Sequence, residues 1–165
     1  MEAVIPEGWT DFAVASAGAA GALAGLIMVV ISVNVKEIIQ GESLPSRAVA
    51  TIASVVVILV GSVAMLIPGQ PLLVLGVEMV VFAAIAVALQ IDAVRRMYAS
   101  HGSSGAWGRL AQVLLGVGSP LWVAAGGVAL VASAPWGLYL VAVGFISIFM
   151  AAVLNAWVLM IEILR

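Results

Sequence analysis

The stretch from Phe12 to Val35, FAVASAGAAGALAGLIMVVISVNV, has no charged side chain. A helix needs about 20 apolar residues to cross a hydrocarbon core of ~30 Å, so this stretch is long enough to span a membrane. Its small-residue pattern resembles a signal peptide, but Glu2, Glu7 and Asp11 precede it where a signal peptide carries positive charge. We therefore interpret it as a membrane-spanning helix.

The composition of the whole chain supports this interpretation. Its 165 residues are 65% hydrophobic and only 8% charged, whereas a soluble domain is about 45–50% apolar and about 25% charged. The composition predicts an integral membrane protein. A net charge of −2 argues against a nucleic-acid partner, and the lack of cysteine excludes disulfides and thiolate metal sites.

Five apolar segments are long enough to cross the bilayer, and in lipid such continuous segments must be helices to pair their backbone groups. The sequence predicts an all-α integral membrane protein, a five-transmembrane-helix bundle that forms one domain over residues 1–165 without a soluble domain. The spans are residues 12–35, 48–67, 72–94, 110–133 and 136–164. Ser46 is a candidate N-cap for the second span, and IPGQP and SAP predict tight turns after the second and fourth.

The basic residues predict the orientation. With five spans, every one of them falls on the side that holds the C-terminus: Lys36, Arg47, Arg95, Arg96, Arg109 and Arg165. The positive-inside rule then places the N-terminus outside and the C-terminus in the cytoplasm of a multi-pass cell-membrane protein.

Glu78 is the only carboxylate well inside a predicted span, about 9 Å below the outer boundary. An ionised carboxylate at such a depth costs at least ~2.5 kcal/mol. We expect it to be neutral, paired or in contact with water. Ser62 and Tyr139 lie at a comparable depth and could bond to it, which would make a proton or cation site. The alternative is a neutral acid satisfied inside the bundle.

A second polar layer is predicted near the cytoplasmic ends of the spans. It comprises Ser32, Asn34, Gln90, Asp92, Asn155 and Glu162. Asp92 and Arg96 are four residues apart and can pair on one helix face. The layer could ring an inner vestibule with Asn34 as an interhelical donor, or it could hold ordinary helix-linking residues.

The sequence offers little catalytic chemistry. His101 is the only histidine, so a bis-histidine haem site is excluded, and no lysine lies within a span to hold retinal. No phosphate-binding or G-x-S-x-G motif occurs. We predict no enzyme activity, no metal and no cofactor. Pro120 is expected to kink the fourth span, and its use as a gating hinge is a hypothesis.

The first span carries two rows of small residues at four-residue spacing. One row is Ala13, Ala17, Gly21 and Gly25, and the other is Ser16, Ala20 and Ala24. Residues four apart share a helix face, and small-xxx-small faces let helices approach closely. We predict that this face packs against helices of the same chain or of another copy.

The segments GWTDFAVASAGAAGALAGLIMVVISVN and LPSRA resemble the N-terminal part of small bacterial multi-span proteins. The resemblance covers about the first 50 residues and rests on Trp9, Phe12, Gly25, Leu26, Ser32, Asn34 and Arg47. Some of these proteins are labelled modulators of a membrane AAA protease of the FtsH type. The resemblance implies a bacterial cytoplasmic membrane and transfers no functional residue.

Three hypotheses for function follow. The first is a non-enzymatic bundle that self-associates or joins a larger membrane complex, with the bilayer as its environment. The second is a small homo-oligomeric channel or transporter with a cavity near Glu78. The third, with least support, is a membrane enzyme or lipid-binding subunit.

Overall fold

The computed structural model describes residues 5–40, 44–99 and 106–163, and these residues form helices without any strand. The helices are α1 (Trp9–Val33), α2 (Val35–Gln40), α3 (Leu44–Met65), α4 (Leu72–Ala99), α5 (Ala106–Val131) and α6 (Gly137–Ile163). All of them except the short α2 are long and apolar enough to cross a membrane. The predicted all-α class is confirmed, and so is the presence of five helices of sufficient length and apolarity.

The largest differences from the predicted helix ends are in α3, α4 and α5. α3 begins at Leu44, so Ser46 lies within its first turn and is not its N-cap. Pro45 explains the earlier start, because its fixed φ suits a first helical turn. α4 continues to Ala99 and α5 begins at Ala106, so much of the loop predicted between them is helical. His101 lies outside the described residues.

Both predicted tight turns are present. Between α3 and α4, Gly69 has a φ of +70° and the Gln70 N–H donates to the Ile67 carbonyl at 3.3 Å. Between α5 and α6, Ser133 has a φ of +57° and the Ala134 N–H donates to the Ala129 carbonyl at 2.9 Å. A left-handed residue at each turn closes the hairpin within a few residues.

The bundle consists of four helices with a fifth on its outside. α3, α4, α5 and α6 pack successively side by side, and α6 returns to contact α3. α1 packs along α3 and has a smaller contact with α6. The core contains Ile58, Leu75, Met79, Leu130 and Phe145, all fully buried.

Large apolar side chains also cover the outside of the bundle. Leu26, Val128 and Met150 are each more than half exposed on three different helices. An apolar surface of this extent is rare on a soluble monomer. The arrangement fits a protein whose outer surface faces lipid.

Candidate functional site

The structure separates the small residues of α1 into a packed face and an exposed face. Ala13, Ser16 and Ala20 are buried against the bundle, together with Ile27 further along. Gly21 and Gly25 are exposed, and a Cβ atom added to either would meet nothing within 4 Å. Ala17 and Ala24 lie between the two faces with intermediate exposure. Within one protomer, only part of the predicted packing face is therefore buried.

The exposed part continues as a stripe along the helix. We call Gly18, Gly21, Gly25 and Met28 the α1 glycine stripe; all four are exposed and follow one another at intervals of three or four residues. The stripe lies about a third of a turn around the helix from the buried Ala20. Only 17% of the α1 span is buried, against 33–61% of the other four spans. Within the protomer, α1 is therefore the least buried of these five helices.

Glu78 has a partner that the sequence analysis did not name. The Gln70 side-chain amide donates to Glu78 Oε2 at 2.7 Å. Gln70 follows the turn glycine and is buried, whereas Glu78 is half-buried on α4. The chain thus folds its α3–α4 turn back over the carboxylate that lies well inside the predicted third span.

The two expected partners of Glu78 lie elsewhere. Ser62 is fully buried on α3, but its hydroxyl has no hydrogen-bond partner among the described residues. Tyr139 is exposed and packs edge-on against Trp9, with ring centroids 5.0 Å apart. Ser62 is therefore not the hydrogen-bond partner of Glu78, which accepts from the Gln70 amide.

The described members of the polar layer predicted near the cytoplasmic ends do not form a ring. Asn34 donates to the Val30 carbonyl of its own helix at 2.8 Å, so it caps α1 and is not an interhelical donor. Ser32 is exposed on α1. Asp92 pairs with Arg96 at 2.8 Å, as predicted, on an exposed face of α4. The Glu162 side chain lies outside the described residues.

Two members of that layer do come together. Gln90 is buried and its Nε2 donates to Ser54 Oγ of α3 at 3.0 Å. Asn155, half-buried on α6, lines the same small cavity as Gln90 and Ser54. Ser54 was not among the residues predicted for this layer. Its hydroxyl donates to the carbonyl of Ala50, four residues earlier on the same helix, at 3.0 Å.

The closest helix contacts are made by glycines of α4, α5 and α6. A Cβ on Gly76 would lie 2.6 Å from the Gly127 carbonyl oxygen, and one on Gly126 would lie 2.7 Å from the Gly137 carbonyl oxygen. The main chains of α4 and α5, and of α5 and α6, are thus in direct contact. Within the protomer, the closest approach of helices through small residues is therefore between these three helices.

The described residues contain no group of three or more histidine, cysteine or acidic side chains that could hold a metal ion. A comparison with protein-family models gives no match, and comparisons with curated proteins and with solved structures give none either. The resemblance of the N-terminal segment to small bacterial multi-span proteins stays a hypothesis.

Proposed function

We propose that this protein is a non-enzymatic membrane protein that self-associates through the α1 glycine stripe. The observation that supports it is the open space beside Gly18, Gly21 and Gly25, where an added Cβ meets no atom within 4 Å. Glycine contributes little to contact with lipid, but it lets a second helix approach its backbone closely. A stripe of this kind is therefore better suited to packing against another helix than to facing lipid.

The proposed location of the protein is a bacterial cell membrane. The protein spans the cytoplasmic membrane of a bacterium five times, with its N-terminus outside, as the distribution of basic residues favours. The partner in the first instance is a second copy, because the stripe runs along a helix that lies on the outside of the bundle. A larger membrane complex is the alternative partner.

The test is the association of glycine variants in a bilayer. Gly21→Leu and Gly25→Leu should abolish energy transfer between labelled copies in liposomes and reduce the detergent-resolved mass to that of one chain. Their protomer should stay folded, because both sites are open. Val128→Leu, which enlarges an exposed residue of α5, is the matched control and should leave association unchanged. An undisturbed oligomer in both glycine variants would refute the proposal.

A second candidate function rests on the Gln70–Glu78 pair. An acid kept inside a span and held by one amide is a feature of ion and proton pathways. Purified protein in liposomes should then conduct protons or monovalent cations, and Glu78→Gln should alter the flux. Absence of flux under an imposed gradient, with insertion verified, would remove this candidate.

A further inference from the structure

A small cavity lies where four helices meet, at the end of the bundle that carries the basic residues. It is lined by polar residues of α3, α4, α5 and α6, together with apolar side chains of α5 and α6. The lining residues that matter here are Thr51, Ser54, Gln90, Gly116, Ser119 and Asn155. The cavity leaves about 10 Å³ for the centre of a water-sized sphere. That is close to the room that one water molecule needs.

The hydroxyl groups on the cavity wall each donate their single proton within their own helix. Each donates to the carbonyl four residues earlier on its own helix: Thr51 to Arg47 at 2.9 Å, Ser54 to Ala50 at 3.0 Å, and Ser119 to Leu115 at 2.6 Å. A hydroxyl has one proton and two lone pairs. These side chains can therefore offer only acceptors to anything in the cavity.

The orientation of the Gln90 amide follows from the same network. Its Nε2 lies 3.0 Å from Ser54 Oγ and 3.5 Å from the Ala50 carbonyl oxygen. Both of those groups can only accept, since Ser54 donates its proton to Ala50, so the nitrogen must face α3. The amide oxygen then faces α5, 3.0 Å from where a Cβ on Gly116 would lie. The Gln90 amide oxygen is thus a further hydrogen-bond acceptor on the cavity wall.

Pro120 adds a backbone acceptor on α5. Proline has no N–H, so the helical bond from residue 120 to the carbonyl of Gly116 is missing. Gly116 lines the cavity. Freed carbonyls in membrane helices are commonly satisfied by ordered water or by neighbouring side chains.

Apart from the Asn155 amide, which has both donors and an acceptor, the wall thus offers acceptors, and it is free of formal charge. None of the residues that line the cavity is acidic or basic, and a buried cation without a counter-charge would be costly. An occupant must be neutral, the size of one water molecule and able to donate hydrogen bonds.

We propose that this cavity is a specific site for one water molecule, which donates to Gln90 Oε1 and to the Gly116 carbonyl. The water links α4 to the proline-containing turn of α5. This inference is independent of self-association through α1, because the site lies inside the protomer.

The first test is a map of the full-length protein at a resolution that shows ordered water. Density within hydrogen-bond distance of Gln90 Oε1, unchanged when sodium is replaced by a large organic cation, supports the site. A map that shows other buried waters but no density here overturns it. So does density that disappears when sodium is removed, because that would identify a cation.

The second test uses two glycines of α5. Gly116→Ala places a methyl group into the site, whereas Gly118→Ala meets nothing within 4 Å and has the same gain in helix propensity. We expect Gly116→Ala to raise the unfolding equilibrium constant in mixed micelles by about tenfold relative to Gly118→Ala, as for a lost buried hydrogen bond. In a Pro120→Ala background, which restores the N–H, that ratio should fall by at least about threefold. Equal effects of the two alanines, or an unchanged ratio in the Pro120→Ala background, would overturn the proposal.

Discussion

The carbonyl oxygen of Gly76 lies 2.8 Å from the position that a Cβ on Gly127 would take, and a Cβ on Gly76 would lie 2.6 Å from the Gly127 oxygen. Each glycine thus makes room for the main chain of the other helix. The α4–α5 contact depends on both residues at once, because no side-chain movement can clear a backbone atom.

Gly127→Ala should therefore destabilise the protomer by about 1–3 kcal/mol, the usual cost of overpacking. The measurement is reversible unfolding in mixed micelles. Gly118→Ala is the control, because its added methyl group has open space. If the two variants unfold at the same denaturant fraction, the close crossing of α4 and α5 is not present in the membrane.

The sequence predicted the five helices because their length and apolarity are local properties of the chain. It did not predict which glycines form the closest helix contacts. Gly126 and Gly127 are adjacent, so they point to different neighbours, one to Gly137 of α6 and the other to Gly76 of α4. Gly76 is the only glycine of α4, and Gly137 shares α6 with Gly144 seven residues later, so neither helix carries a four-residue row like those of α1. Only the packed arrangement pairs them, whereas the regular rows of α1 stood out in the sequence.

The partner of Glu78 was missed for a related reason. The predicted partners lie at a comparable depth in other spans, whereas Gln70 lies in a turn. The available signal was a polar residue between Gly69 and Pro71, eight positions before Glu78. A tight turn at that point brings the amide back over α4.

The Gln70–Glu78 hydrogen bond yields a second prediction. Gln70→Leu should destabilise the protomer by about 1.5–3 kcal/mol, because it leaves the Glu78 carboxyl without its donor in a half-buried position. Replacing both residues by leucine should restore most of the loss, since neither polar group is then unpaired. Unfolding of the two single variants and the double variant gives the coupling energy. Additive effects would show that the pair does not interact.

Phe145 provides a third prediction, on the contact between α6, α3 and α1. It is fully buried, lies 2.9 Å from where a Cβ on Gly61 would be, and stacks with Phe12 at 6.3 Å. Phe145→Ala should cost about 3 kcal/mol, the low end for a buried aromatic residue, because the unfolded helices keep their apolar side chains in lipid. Ile146→Ala, at an exposed neighbouring position, should cost far less. Equal losses would mean that Phe145 faces lipid.

The orientation of the protein is the fourth prediction, and the absence of cysteine makes it directly testable with single cysteine variants. Pro68→Cys lies in the exposed α3–α4 turn, and Gln40→Cys lies at the exposed end of α2, on the opposite side of the bundle if α1 and α3 each cross the membrane. If the basic side faces the cytoplasm, a membrane-impermeant maleimide added to intact cells should label Pro68→Cys alone. Permeabilised cells should show labelling of both variants, which controls for accessibility of the thiol. Labelling of Gln40→Cys in intact cells, with Pro68→Cys protected, would reverse the orientation and place Glu78 near the cytoplasmic side.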